Sequence, residues 1–474
     1  MGELHFYRSG TTIGNMGKVN FQEPNHVHFI GIGGISMSGL AEILLQAGFQ
    51  VTGSDREESE IVETLRTLGA EIMIPQSADN IRPGIDCVVY TAAIHSDNPE
   101  FQAAKEAGIP MLRRAELLGQ IMEHYRNSIA VAGTHGKTTT TSMLTEVLLA
   151  ADVDPTVSVG GMLSSINGNI RVGKSEFFVA EACEYTNSYH ALKPRYSVIT
   201  TVEEDHMDFF HNIEEIRDSF ATFAKNTASD GAVIINGEIE AYQTIVKDLP
   251  CKVITYGLKG THDLTAKGIS FDEHGCACFT PVVQGKELAP VTLSVPGIHN
   301  VSNALAVLAV ARELGVKEQI VLEGLSSFTG AGRRFERKGE FSGVTIVDDY
   351  AHHPTEIHAT IAAAKKGSYG RLVIVFQPHT YTRTKAFLQD FADVLSEADM
   401  VVLSDIYAAR EQNTVGISSV DLLEKIKEHG TECYYFPSFS EIEEFVQKKC
   451  MNRDLLITMG AGDIYKVGDH LLRK

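Results

Sequence analysis

No stretch of this sequence stays apolar for the roughly 18 residues that a membrane-spanning helix needs, so no bilayer span is expected. The N-terminus lacks the basic start, apolar run and small-residue cleavage site of a secretion signal. Residues 1–18 read instead as a polar, glycine-containing leader, with Met16 an alternative start, and a cytoplasmic location is expected. Basic residues are scarce: 41 Lys and Arg against 61 Asp and Glu leave a formal charge of −20. That balance lacks the footprint of a duplex binder, so nucleic acid is not expected as a partner. Small anionic substrates are still allowed, because backbone N–H groups and a few placed cations hold phosphate locally. The seven cysteines are odd in number and scattered, with Cys276 and Cys278 the close pair. One intervening residue without a second cluster is not zinc spacing, and these thiols read as reduced and structural. Long repeats and low-complexity tracts are missing as well.

What is present is the balance of a globular protein, with 43% apolar and 22% charged residues. At 474 residues the chain exceeds one ordinary core, so about two to four domains are expected. Strand and helix patterns alternate in three successive units, which argues for α/β domains with doubly wound, mostly parallel sheets. The first, residues 19–125, has strand patterns at His26–Ile30 and Cys87–Ala93, a Gly-rich turn Gly31–Gly39 and a helix through Leu40–Ala47. The polar stretch His124–Ser128 separates it from a second unit, residues 126–329. There, strand Ile129–Ala132 leads into GTHGKTTT and a helix to about Leu149. Further strands are expected at Phe177–Ala180, Ser197–Val202 and Ala232–Asn236, with a small antiparallel addition near 250–295 and a helix after PGIHNVSN. The third unit, residues 330–474, has strands expected at Val344–Val347, Leu372–Phe376, Met400–Leu403, Cys433–Phe436 and Leu455–Thr458. The N- and C-terminal units read as Rossmann-like and the central one as a phosphate-loop ATPase.

GTHGKTTT (Gly133–Thr140) is the strongest local signal, because it lies between an apolar strand and a helix. Its N–H groups and helix N-terminus would cradle an anion, Lys137 would balance β- and γ-phosphate charge, and Thr138 would reach Mg²⁺. Position 131 is Val where the longer phosphate-loop pattern has its first glycine. In the first unit Gly31 and Gly33 fit G-x-G-x-x-G but Ser36 takes the third place, and Asp55 ends the second strand. Those residues alone leave NAD, another nucleotide or a tight turn open. Glu181, Glu184, Glu203, Glu204, Asp205, His206 and Asp208 follow central strands, where ligand crevices lie, and a hard cation takes one or two such carboxylates. DDYAHHPTE (Asp348–Glu356) and QPHTYTRT (Gln377–Thr384) follow strands of the third unit. Adjacent His352 and His353 rarely share one ion, so they are not assigned a metal.

In order, GIGGISMSGLA, GTHGKTTT, EACEY, DHMD, PGIHNVSNALA, RRFE, DDYAHHPTEI, QPHTYTRT and GAGDI run along the chain. From about Phe21 to its end, the chain resembles the Mur ligase superfamily, in its branch of UDP-N-acetylmuramate–L-alanine ligases. The resemblance implies a UDP-sugar-binding first domain at Gly31, Gly33, Gly34, Ser54, Asp55 and Thr91, holding a uridine nucleotide and not NAD. It implies ATP binding by Gly133, Thr134, His135, Gly136, Lys137, Thr138 and Thr139, with Asn300 and Asn303 on the adenine side. Arg334 and Asp349 would reach ATP from the third domain, Thr138, Glu181 and His206 would serve Mg²⁺, and Tyr350, His379 and Arg383 would hold the amino acid. Lys137, Glu181, His206, Arg334 and Asp349 are the implied catalytic set. The chain departs from many relatives at Cys183, where they carry an acid, and at Thr380, where some have a second arginine. Residues 216–224 contain no lysine of the kind other branches carbamylate.

The implied activity is a peptidoglycan-precursor synthesis: the lactyl carboxylate of UDP-N-acetylmuramate takes the γ-phosphoryl group of ATP, and L-alanine displaces phosphate. His379 or Asp349 would accept the amine proton. The rival within the superfamily is the ligase that attaches an intact tripeptide to the same UDP-sugar, although RRFE and QPHTYTRT favour alanine. An NAD-dependent oxidoreductase leaves GTHGKTTT unexplained, and a nucleotide-binding regulator without catalysis is at odds with intact Lys137, Glu181, His206 and Asp349. The sequence leaves monomer or homodimer open.

Overall fold

The structure, a computed structural model, describes residues 19–91, 93–207, 209–409 and 411–473. The leader with Met16, and Asp208, lie outside the described residues. Three sheets follow one another along the chain. The first comprises β1 (His26–Ile30), β2 (Gln50–Ser54), β3 (Glu71–Met73), β4 (Cys87–Tyr90) and β5 (Met111–Arg113), all parallel, in the order β3-β2-β1-β4-β5. The order reverses between β1 and β4, which opens a crevice at their C-terminal ends.

The helix after β1 spans Ile35–Gln46, five residues earlier than the glycine pattern suggests. Gly39 therefore belongs to the helix and not to a turn. A Cβ there would overlap the side chain of Ile170 in the central unit, so the glycine allows close packing between units.

The central sheet has eleven strands. They are β6 (Asn127–Ala132), β7 (Thr156–Leu163), β8 (Gly168–Arg171), β9 (Phe177–Glu181), β10 (Tyr196–Ile199), β11 (Ala232–Asn236), β12 (Lys252–Tyr256), β13 (Leu264–Phe271), β14 (Cys276–Val283), β15 (Lys286–Glu287) and β16 (Val291–Pro296). The path runs β15-β14-β13-β12-β11-β10-β6-β9-β7-β8, with β16 beside β14. Strands β12-β11-β10-β6-β9-β7 are parallel, and β13 to β16 form the antiparallel addition. The helix Ile298–Glu313 begins within PGIHNVSN, not after it. Its Ala- and Leu-rich face is buried almost all round, because it lies between the sheet and the helices Lys137–Ala150 and Glu318–Ser327.

The third sheet holds β17 (Glu336–Phe341), β18 (Val344–Asp349), β19 (Leu372–Phe376), β20 (Met400–Leu403), β21 (Glu432–Tyr435) and β22 (Leu455–Met459), in the order β17-β18-β22-β19-β20-β21. Only β17 is antiparallel in it. Its two faces pack separate apolar clusters. The stretch His124–Ser128 is no linker. Asn127 and Ser128 belong to β6, and Tyr125 is 5% exposed, stacked at 5.0 Å on Phe178 and bonded to Thr156 at 3.1 Å. The first and central units share one continuous apolar cluster through it.

Candidate active site

The phosphate loop leaves β6 at Gly133 (φ 143°) and enters the helix Lys137–Ala150 through Gly136, which sits at φ 84° as the residue before the first turn. A Cβ on Gly133 would strike Thr200, and one on Gly136 would lie 2.9 Å from Asn303 Oδ1. Only glycine fits either place. The loop leads Lys137 back over itself: Nζ donates to the Gly133 carbonyl at 2.5 Å, to the Thr134 carbonyl at 3.1 Å and to both oxygens of Glu184 at 2.9 and 3.0 Å. Burial disfavours the ammonium, but the carboxylate of Glu184 outweighs it and raises the lysine pKa. Burial likewise opposes the Glu184 charge, and Lys137 with His206 hold its pKa below the ordinary value.

At the next residue, Thr138 Oγ1 donates to Glu181 at 2.9 and 3.1 Å, and Glu181 also accepts the Gly160 N–H at 2.5 Å. His206 Nε2 lies 3.4 Å from Glu184 Oε1 and 3.8 Å from Asp205 Oδ2. Thr138 with Glu181, and Glu184 with His206, line one cleft beside the loop, and the hydroxyl and carboxylates are oxygen donors of the kind a hard divalent ion takes with water completing its shell.

The third unit closes over this edge. Arg334 Nη2 reaches Thr138 Oγ1 at 3.4 Å, stands over the Tyr350 ring at 5.0 Å and lies 3.9 Å from Glu356. Arg333 donates to Asp348 at 2.9 Å and to the carbonyls of Gly460 and Gly462, pinning the loop to the sheet. Arg383 Nη2 donates to Asp205 of the central unit at 2.9 Å, and its Nη1 approaches His379 Nδ1 at 3.1 Å. Burial opposes the Asp205 charge, but Arg383 and the nearby histidines drive its pKa far down. Burial, with Arg383 adding to it, pushes His352 down to about 3 against the pull of Glu356. His206, Arg333 and Thr380 all have left-handed φ, at 54°, 60° and 64°. Such strain in bulky residues collects at functional sites.

A cleft of about 970 Å³ gathers Thr134, His135, Gly136, Lys137, Thr138, Glu181, His206, Arg334, Tyr350, His379 and Arg383. A smaller cavity of about 290 Å³ adjoins it and is lined by Thr139, Asn300, Asn303 and Asp349 among others, with His135, Gly136 and Arg334 common to both. Asn303 Nδ2 donates to Asn300 Oδ1 at 3.1 Å, and Asn300 Nδ2 to the Pro296 carbonyl at 2.7 Å. Asp349 is buried and accepts from Phe335 N, Ala351 N and Thr360 Oγ1, at 3.0, 2.8 and 3.1 Å. Burial lifts it to about 6 against the pull of Arg334.

The first unit's residues stand apart. Gly31, Gly33, Gly34, Ser54, Asp55 and Thr91 line neither cavity, and among the described residues of this unit only Ile35 reaches the large cleft. Ser54 is fully buried, with its hydroxyl donating to Glu100, and Asp55 accepts the Gly33 N–H at 2.8 Å. The Asp55 side chain and the Ser54 carbonyl, which accepts the Gly31 and Ile32 N–H groups, shape the glycine loop. A groove of about 370 Å³ lined by Arg56, Gln76, His95 and Asn98 lies beside them.

Sequence reasoning left Glu356 without a role and named Glu184 and Asp205 only as candidate carboxylates. Glu356 accepts from His135 at 3.1 Å and from the His352 N–H at 3.1 Å. The i, i+4 spacing of His352 and Glu356 at a helix start was the available signal.

Family models match in chain order: Mur ligase family, catalytic domain, at residues 26–126; Mur ligase middle domain at 131–311; and Mur ligase, glutamate ligase domain, at 333–462. A protein of Agathobacter rectalis named UDP-N-acetylmuramate–L-alanine ligase is 62% identical over 459 residues, covering 97% of this chain and all of its own. The crystal structure of a UDP-N-acetylmuramate–alanine ligase from Thermotoga maritima superposes with a TM-score of 0.78 at 31% identity, covering 95% of this chain and 98% of that one. A murein peptide ligase from Psychrobacter arcticus gives 0.68 at 25% identity over the same shares. With three matched units in order and a close relative spanning nearly its whole length, this chain belongs to the Mur ligase family.

Proposed function

We propose that this protein joins L-alanine to the lactyl carboxylate of UDP-N-acetylmuramate with ATP as the energy source, in the cytoplasm. The observation that carries the reading is the single cleft in which Lys137 and Thr138 of the phosphate loop, with Glu181 at the end of β9, face Tyr350, His379 and Arg383 of the third unit. ATP lies with its phosphates on Gly133–Thr139 and its base in the smaller cavity beside Asn300 and Asn303. The UDP portion takes the end of the first sheet near Gly31–Gly34, Asp55, Thr91 and the Arg56–His95 groove. Names of relatives at 62% and 56% identity support the alanine acceptor over the tripeptide.

The chemistry is two displacements. A lactyl oxygen attacks the γ-phosphorus, the bond to the β-phosphate oxygen breaks, and ADP leaves an acyl-phosphate. The amine of alanine then adds to the acyl carbon, the carbon–oxygen bond to phosphate breaks, and inorganic phosphate departs as the amine loses a proton. The first step is positioning and charge neutralisation: Lys137 releases Glu184 in favour of phosphate oxygens, and Arg334 stands over the same edge. The Thr138 hydroxyl, Glu181 and His206 would hold Mg²⁺, which neutralises phosphate charge when bound. In the second step Arg383 and His379 orient the amino acid. Of the two groups considered as proton acceptor, His379 lines the large cleft, whereas both oxygens of Asp349 are committed to hydrogen bonds.

Phosphate release from ATP with UDP-N-acetylmuramate, measured with L-alanine, with the tripeptide and with neither, tests the reading. Release that depends on the tripeptide and not on alanine overturns it. Glu181→Gln should raise the Mg²⁺ concentration for half-maximal rate by about tenfold or more, since the amide keeps the shape but loses the charge a hard ion prefers. An unchanged Mg²⁺ curve removes Glu181 from the ion's shell.

A further inference from the structure

His352 and His353 are neighbours in sequence yet serve different places. His352 lines the large cleft, its ring 5.7 Å from that of His379. His353 turns away to the central unit: its ring lies 4.8 Å from that of His135, and its Nε2 donates to the Glu204 carbonyl at 3.0 Å. One ligand atom from each of His135, Glu203 and His353 lies within 4.8 Å of the others. His135 Nε2 is a buried nitrogen without a hydrogen-bond partner among the described residues, and Glu203 Oε2 stands 3.6 Å from it.

We propose that His135, Glu203 and His353 form a site for a divalent transition ion of the zinc class, separate from the Thr138–Glu181–His206 position. Two imidazoles and one carboxylate are the ligands such an ion prefers, with a fourth place left for water. The surroundings of the two histidines are those of metal ligands as well. His135 Nδ1 is held by Glu356 at 3.1 Å, and an ion takes Nε2 by displacing the proton that the imidazole otherwise carries there. His353 keeps its Nε2 hydrogen on the Glu204 carbonyl, and its Nδ1 reaches the ion by giving up the 3.3 Å bond from the Thr355 N–H with which it caps the helix Pro354–Ala364. Carboxylate and carbonyl partners of this kind fix the tautomer and orientation of ligating imidazoles. An ion reaches the site through a groove of about 650 Å³ that includes Glu203 and His353 and is edged by Glu204, Glu238, Glu240 and Asp390. Arg217 is the basic residue on that groove, so its field favours cations. Because His353 comes from the third unit and the other two ligands from the central one, an ion here ties the two units together.

The test is titration of the full chain with Zn²⁺ and Co²⁺ against a chromophoric chelator, with Mg²⁺ at saturating concentration throughout. One ion should bind per chain, with the visible absorption of low-coordinate Co²⁺ and a higher melting temperature. His353→Gln and Glu203→Gln should each weaken binding tenfold or more and abolish the melting shift, while Glu181→Gln leaves both unchanged. Melting curves without added Zn²⁺ or Co²⁺ report whether each variant is folded, and the pair of variants guards against one that is not. Parental affinity in both folded variants overturns the proposal. So does binding that disappears in Cys183→Ser, which would put the ion on the exposed thiol in the large cleft.

Discussion

Lys137 is bonded both to its own loop and to buried Glu184, so it bears on shape as well as on chemistry. A loop lysine facing phosphate would be expected from sequence to leave the fold untouched when removed. The structure argues otherwise: Lys137→Ala strands a carboxylate that is 3% exposed, and an unpaired buried charge is destabilising. Lys137→Ala should therefore lower the melting temperature by several degrees and reduce turnover by about 10²–10³ or more. Activity within tenfold of the parent would mean the phosphate site is misplaced. Arg383 is the other residue whose role the geometry sharpens. Selecting alanine demands a grip on its carboxylate, and the guanidinium fork is the best donor pair for it. Yet Nη2 already rests on Asp205, both side chains being about nine-tenths buried. Arg383→Ala should raise the alanine KM by about tenfold or more, the equivalent of one charge-assisted hydrogen bond at about 1.5–3 kcal/mol. Arg383→Lys, which keeps the charge but not the fork, should recover thermal stability and not the KM. If steady-state kinetics put the loss in the ATP KM, Arg383 belongs to the phosphate site.

At the scale of elements, the helix Lys137–Ala150 exists against its own composition. It opens with Lys and four threonines, and threonine is a poor helix former. Burial of the helix between β7, β9 and the helices Ile298–Glu313 and Glu318–Ser327 supplies what propensity does not. Its start depends on Gly136 at φ 84°, where a residue with a Cβ loses about 1–2 kcal/mol. Gly136→Ala should lose that much stability by chemical denaturation and bind ATP more weakly, because Asn303 must also move. A variant with parental ATP affinity would show that the loop tolerates a different path. Central strands such as β6, β11, β19 and β22 are legible as apolar runs because both faces of a parallel sheet are covered. The strand β17 (ERKGEF) is not, since it is a half-exposed, antiparallel edge paired on one side only.

Taken whole, the molecule holds its third unit against the phosphate loop through ionic contacts more than apolar ones. His135 sits between Glu356 of the third unit and Glu203 of the central one, at 3.1 and 3.6 Å. Burial disfavours its charge, but the two carboxylates overcome this and lift its pKa from 6.5 to about 9. A histidine with a raised folded pKa contributes stability that is complete below its unfolded value and fades as pH climbs through the folded one. The window is thus about pH 6.5 to 9, and the contribution on the order of 3 kcal/mol. The difference in unfolding free energy between the parent and His135→Gln should shrink across that window. A difference that stays constant from pH 6 to 9.5 would mean His135 is not charged there.

Sequence by itself determined three α/β units in order, the phosphate loop, and the residues that belong near it. Those features are local: an apolar strand, a glycine turn and a helix start are written in consecutive residues, so GTHGKTTT and the ends of β9, β18 and β19 could be read directly. The tertiary structure alone decided which charges meet. Glu184 faces Lys137 across 47 positions, Arg383 faces Asp205 across 178, and Glu356 faces His135 across 221. It also turned Ser54 inward to Glu100, made Gly39 a packing residue against Ile170, and sent His352 and His353 to opposite sides of one loop. Pairings of this kind depend on how three sheets stack, and stacking is fixed by buried surface shared between distant segments, which no stretch of consecutive residues encodes.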